Sequence, residues 1–250
     1  MPSFHHGRVE IAYLDEGEGE PILLIHGFAS NREVNWVRPG WVTTLTRAGR
    51  RVIALDNRGH GQSTKLHDPA DYHTSLMAED ARALLDHLGV ARADVMGYSM
   101  GARISAFIAL AHPTRVRTTI LGGLGANLIE QVGLSRDIAD ALEAPSAADV
   151  TDPQGRVFRA FAEQTKSDLK ALAACIRGSR QKLTSEQAAM IGVPVLIAVG
   201  TKDDVAGDPR RLAAVIPHSK VLDIPDRDHM LAVGDKVFKQ GVLEFLSGPP

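Results

Sequence analysis

Residues 95–105 read VMGYSMGARIS, and Ser99 stands between Gly97 and Gly101 where an apolar run meets a helical pattern. A serine hydroxyl is a weak nucleophile until a base takes its proton and a carboxylate steers that base. A strand that turns directly into a helix holds the pivot residue in a strained conformation. Its side chain is then thrust out at the strand's carboxyl end. The neighbours two positions away lie against other backbone, a crowding that glycine tolerates. The pattern therefore predicts Ser99 as a nucleophile on a sharp elbow, against a plain reading of a strand–turn–helix with incidental glycines.

The partners of such a serine must follow the carboxyl ends of later strands, because those ends share one crevice. VPVLIAVG at 193–200 is followed by Thr201-Lys202-Asp203-Asp204, and KVLDIPD at 220–226 by Arg227-Asp228-His229. Carboxylate and histidine thus come in the order Ser, Asp, His. His229 is the expected base. Asp203 and Asp204 are both open as its orienting acid, since only one of two adjacent side chains can face the imidazole. An oxyanion also needs donors. The N–H of Met100, opening the helix, is one. The N–H of Phe28, in the His26-Gly27-Phe28-Ala29 loop, is the expected second.

These residues need a frame. Continuous apolar runs at 21–27, 51–56, 93–98, 116–122 and 193–200, with Val9–Tyr13 and 220–226, read as strands, and bounding Gly and Pro punctuate them. DEGEGEP at 15–21 reads as a turn. Helical patterns at 75–89, 100–111 and 235–247 alternate with the strands. Thr74 or Ser75 is the expected N-cap of the first and Gly89 its stop, and the second ends near His112-Pro113. The fold class is α/β: a mostly parallel central sheet with helices on both faces. The alternation breaks once. From 123 to 191 no strand is evident, and SRDIADALEA, GRVFRAFAEQT, DLKALAACIRG and TSEQAAMI read as helices, interrupted by Pro145 and a DPQG turn at 152–155. We expect residues 1–122 and 192–250 to form the core, 123–191 a small helical cap, and Pro249-Pro250 a frayed tail.

With these motifs in place, the chain resembles the α/β-hydrolase fold family, in its subgroup of small cap-bearing, cofactor-free serine hydrolases. The residues that carry the likeness are His26-Gly27-Phe28, Asp56-Asn57-Arg58-Gly59-His60-Gly61-Gln62-Ser63, Gly97-Tyr98-Ser99-Met100-Gly101, Gly200-Thr201-Lys202-Asp203 and Asp228-His229. The resemblance implies Asp203 as the acid, three residues past the strand-end glycine, with Asp204 as the alternative. The other acid position used in the family falls on Gly122-Gly123-Leu124, which has no carboxylate. The resemblance also makes the 56–63 segment a structural loop, so that Arg58 and His60 are not catalytic. Relatives that open epoxides or displace halide place an aspartate at the elbow, and the serine here points away from those reactions.

The implied activity is hydrolysis of a small carboxylic ester or thioester through an acyl-enzyme, of the carboxylesterase kind. The same site on the same fold also serves lyases, carbon–carbon hydrolases and haloperoxidase- or perhydrolase-like enzymes, and the scaffold can serve as a non-catalytic receptor. His26, Trp36, Leu124, Phe158, Phe161 and Met230 are candidates to line the pocket beneath the cap. With 5% aromatic residues and an alanine-rich cap, a modest aliphatic pocket is expected.

Composition narrows the rest. Twenty-eight Lys and Arg against 30 Asp and Glu, well mixed, leave no basic surplus for nucleic acid. A lone Cys175, in an apolar helical stretch, reads as a packed thiol and gives no sign of an oxidising compartment. The apolar runs are too short to span a bilayer and the first residues lack a signal-peptide core, so a cytoplasmic protein without membrane contact is expected. GGLGANL at 122–128 lacks the third glycine and the acidic partner of a dinucleotide site. Metal-ligand and phosphate-loop patterns are absent too, so no metal or cofactor is expected. The expected partner is an ester-like small molecule, and nothing in the chain specifies an oligomeric state.

Overall fold

A computed structural model of the chain describes residues 2–130 and 137–248. Strands β1 (Ser3–His6), β2 (Val9–Glu16), β3 (Glu20–Ile25) and β4 (Arg50–Leu55) open the chain, with helix α1 (Trp41–Arg47) before β4. Helix α2 (Thr74–His87), β5 (Ala93–Tyr98), α3 (Met100–Ala111) and β6 (Val116–Gly122) follow. Next come α4 (Asn127–Glu130), α5 (Asp137–Glu143), α6 (Pro153–Gln164), α7 (Leu169–Gly178) and α8 (Ser185–Ala189). The chain closes with β7 (Val195–Gly200), α9 (Pro209–Ala213), β8 (Ser219–Ile224) and α10 (Lys236–Ser247).

The sheet runs β1-β2-β4-β3-β5-β6-β7-β8. β1 and β2 are antiparallel to their neighbours, and every later pairing is parallel. Alternation along each strand sends successive side chains to opposite faces. Leu23, Ile25, Ile53, Leu55, Val95 and Leu121 therefore join one core cluster, with α2, α3 and the 138–191 helices. Ile22, Leu24, Val52, Ala54, Met96 and Ile120 join the other, under α1 and α10. Both faces are thus covered, which is why the inner strands read as unbroken apolar runs.

Several details depart from the expectations. β1 was not anticipated: among Ser3–His6 only Phe4 is apolar, and it packs edge-on against Tyr13 while the segment pairs with β2. The cap of α2 is His73, whose ring accepts from the Ser75 N–H, rather than Thr74 or Ser75. Gly89 follows that helix with a φ of +65°, the left-handed stop expected of it. The 152–155 segment is the start of α6 rather than a turn. The Asp152 carboxylate caps Gly155 N–H, and Pro153 takes the first helical position, where its missing N–H costs nothing. The beginning of the SRDIADALEA stretch and the Pro249-Pro250 tail lie outside the described residues.

Between β6 and β7 the described residues are helical, with no strand. α5 packs on α6 and α7, and α7 on the 69–72 turn. This insertion is tied to the core at named points. Thr165 Oγ donates to Ala29 O at 3.2 Å, Phe158 packs at a tilt against Phe28 with ring centroids 5.8 Å apart, and the Arg103 guanidinium of α3 donates to the carbonyls of Asn127, Leu128 and Gln181.

Candidate active site

β5 ends at Tyr98, α3 begins at Met100, and the residue between them, Ser99, has φ 53° and ψ −111°. That conformation is uncommon for a side chain larger than hydrogen and is held by tertiary packing. Ser99 N–H donates to Gly122 O at 2.8 Å, locking the bend to β6. The flanking glycines have a steric cause. A Cβ on Gly97 would collide with the backbone of Gly101 and Ala102, and one on Gly101 with the Ile25 and His26 carbonyls.

The strand ends bring the other two groups to Ser99. Its Oγ lies 2.9 Å from His229 Nε2, and His229 Nδ1 lies 2.8 Å from Asp203 Oδ2. A carboxylate only accepts, so Nδ1 carries the hydrogen and Nε2 is left as the acceptor for the serine hydroxyl. The other oxygen of Asp203 accepts the N–H groups of Val205 at 2.8 Å and Ala206 at 2.9 Å, which fixes the carboxylate's orientation. Its side chain is fully buried, whereas Asp204 is exposed. Tyr98 Oη donates to the His229 carbonyl at 2.7 Å and its ring lies 5.5 Å from the imidazole. Burial, followed by the charges of Asp203 and Asp228, holds that phenol well above its ordinary pKa, so it remains a donor.

Neither Phe28 N–H nor Met100 N–H has a hydrogen-bond partner among the described residues. For Met100 this follows from its place at the first position of a helix. The loop carrying Phe28 is held from behind, because Gly27 N–H donates to Asn35 Oδ1 at 3.0 Å. Asn35 sits in a π-helical turn, Glu33–Val37.

A cavity of about 340 Å3 opens on Ser99 and His229. Phe28, Phe158, Phe161 and Met230 line it, joined by Tyr98, Asn35, Val34 and Leu231. Three candidates do not. Trp36 is fully buried in the opposite core, edge-on to Trp41 at 6.2 Å, and Leu124 packs into the core under the helical insertion. His26 is sealed: Nδ1 donates to Gly27 O at 2.7 Å and Nε2 accepts Asn57 N–H at 3.0 Å. Burial pushes its pKa down to about 4, so it stays neutral. The aliphatic pocket expected from composition is instead walled by aromatic rings, which gather three of the chain's seven phenylalanines.

The 56–63 loop holds itself together. Asp56 pairs with the Arg32 guanidinium and accepts Gln62 N–H at 2.8 Å, and Arg58 grips Asp80 through two bonds of 2.7 and 2.8 Å. His60 is buried, with Nδ1 on Arg58 O at 2.9 Å, and burial brings its pKa down to about 3. Cys175 is buried, and desolvation raises its thiol to about 12, which suits a packing role. Among the described residues no cluster of His, Cys, Asp and Glu fits a metal ion, and no helix is long and apolar enough to cross a membrane.

Comparison with known proteins agrees with this architecture. The model of the α/β hydrolase fold family matches residues 20–130, from β3 through the elbow to α4. The chain has the α/β hydrolase fold. It superposes on the crystal structure of a hydrolase from Pseudomonas aeruginosa with a TM-score of 0.78 and 25% identity, covering 96% of this chain and 95% of that one. It is 31% identical over 246 residues to the dihydrolipoyllysine-residue acetyltransferase component of the acetoin cleaving system of Pseudomonas putida. That match takes in 91% of this chain but only 64% of the relative's length. With the non-heme chloroperoxidase CPO-A1 of Kitasatospora aureofaciens it shares 27% identity over 274 residues, 96% of each.

Proposed function

We propose that the protein is a serine hydrolase that cleaves a small carboxylic ester or thioester through an acyl-enzyme on Ser99. The observation that carries this reading is the continuous line Ser99 Oγ, His229, Asp203, with spacings of 2.9 and 2.8 Å. In the proposed reaction His229 Nε2 takes the hydroxyl proton as Ser99 attacks the acyl carbon. Asp203 holds the imidazole in the tautomer this requires and stabilises the imidazolium that forms. The negative charge that develops on the acyl oxygen is received by the free N–H groups of Phe28 and Met100. The imidazolium returns its proton to the departing alcohol or thiol. Water, deprotonated in turn by His229, then releases the acid.

Residues 123–191 act in this reading as the cap over the cavity, supplying Phe158 and Phe161 to its wall. The family relationship supports the reading, since relatives of this fold are hydrolytic or related enzymes. No observation at the site favours a second chemistry over ester cleavage.

A panel of p-nitrophenyl esters of rising chain length tests the proposal. Turnover by the wild type, with a loss of about 10⁴-fold or more in Ser99→Ala, is expected. Turnover that survives unchanged in Ser99→Ala would remove the serine from the reaction.

A further inference from the structure

Resting on the serine-hydrolase reading, we propose that the site takes uncharged, apolar esters and discriminates against acyl or alcohol groups that carry a carboxylate or a phosphate. The cavity is at the small end of ligand clefts, about 340 Å3, and its bulk is set by Phe28, Phe158, Phe161, Met230 and Leu231. Among the described residues that line it there is no Lys, Arg, Asp or Glu. Among the described wall residues the ionisable groups are the imidazole of His229, which the proposed reaction itself uses, and the Tyr98 phenol, which is held neutral.

Cations close to the walls are turned to other partners. The Arg32 guanidinium pairs with Asp56, Arg38, next to Pro39, lies 3.5 Å from Glu33, Lys239 Nζ donates to the Pro39 carbonyl, and Arg58 pairs with Asp80. Arg159, beside Phe158, reaches Glu163 and the carbonyls of Ala141, Leu142 and Ala144. Arg103, on the helix that follows Ser99, is spent on three carbonyls. Of the polar wall groups, Asn35 Oδ1 accepts Gly27 N–H and Tyr98 Oη donates to the His229 carbonyl, while Asn35 Nδ2, a neutral donor, is buried without a partner among the described residues. An anion carried into this space loses its hydration and meets no compensating charge.

The mouth is apolar too. Met230 and Leu231 follow His229 directly, line the cavity, and are 45% and 59% exposed. Large apolar side chains left in solvent beside a cleft mark a surface that an apolar ligand covers. Substrate thus meets large apolar side chains at the entrance and uncharged polar groups deeper in, among the described residues.

Two acyl groups of equal carbon count test this with the full chain: p-nitrophenyl hexanoate, which is neutral, and mono-p-nitrophenyl adipate, whose acyl group ends in a carboxylate too distant to expel p-nitrophenolate readily by itself. The expected kcat/KM ratio favours the hexanoate by about 100-fold or more, the scale of stranding a charge without a partner. Met230→Arg places a cation at the mouth on an exposed position, and should cut that ratio about tenfold. Phe161→Arg, on a half-buried position, should act in the same direction. Equal rates for the two esters, or a preference for the adipate, overturn the proposal while leaving the hydrolase reading intact. A folded Met230→Arg protein with an unmoved ratio also counts against it. If neither ester turns over although a fluorophosphonate labels Ser99, the substrate class is wrong. If Ser99 is not labelled, the underlying reading falls first.

Discussion

The two adjacent aspartates show how a single residue acquires a role. Asp203 and Asp204 have the same side chain and consecutive positions, yet only Asp203 is buried against His229 and braced by two backbone N–H groups. In the proposed mechanism Asp203→Asn leaves the shape but allows the wrong imidazole tautomer, and kcat should fall by about 10⁴-fold. Asp204→Asn, in solvent, should change kcat less than about twofold. Steady-state rates on one p-nitrophenyl ester compare them; similar losses in both would contradict the assignment. Ser99, His229 and the Asp203-Asp204 pair were legible as candidates because each sits next to a strand end that its own apolar run announces, and the family resemblance pointed to Asp203 of the two. Asn35 and Leu231 carry no such local signal; their place at the cavity follows from which way the chain turns after folding. Tyr98, the last residue of β5, was read only as part of the elbow motif. Trp36 and Leu124 failed as wall residues for the same reason: a large apolar side chain beside a motif serves the core as readily as a pocket.

Element boundaries were legible wherever apolar periodicity was long. β5, β6 and α3 fall where the pattern places them, whereas β1 escaped because a four-residue edge strand with one apolar side chain has no period to read. The loops after β3 and β4 carry a stability consequence of their own. They bury His26 and His60 neutral, with pKa values lowered to about 4 and about 3 by desolvation, against 6.5 in the unfolded chain. Between those limits the unfolded state binds protons that the folded state refuses. Both histidines therefore favour folding fully above pH 6.5, and that contribution is lost as pH falls toward 4. Each should add a slope approaching about 1.4 kcal/mol per pH unit to the unfolding free energy. Urea denaturation at pH 7, 6 and 5 measures it, over a range where most carboxylates stay ionised. A flat profile would mean that the two rings are not sealed.

At the scale of the whole molecule, the sheet brings the candidate site together and α6 supplies two rings of its cavity wall. β5, β7 and β8 run parallel, so the residues just past their carboxyl ends converge on one crevice although they lie 130 positions apart in the chain. The alternation of apolar runs with helical patterns foretold that sheet, but composition did not foretell the cavity. An average of 5% aromatics says nothing about three phenylalanine rings meeting in one place, two of them from α6 and one from the loop after β3. The Thr165–Ala29 hydrogen bond and the Phe28–Phe158 contact join the insertion to the loop that carries one proposed oxyanion donor. The most direct test of the central claim is peptide mapping by mass spectrometry after exposure of wild type and His229→Ala to a fluorophosphonate. The account predicts one adduct, on Ser99, formed rapidly in the wild type and at least about 100-fold more slowly in His229→Ala. An adduct on another residue, or equal labelling rates in the two proteins, would contradict it.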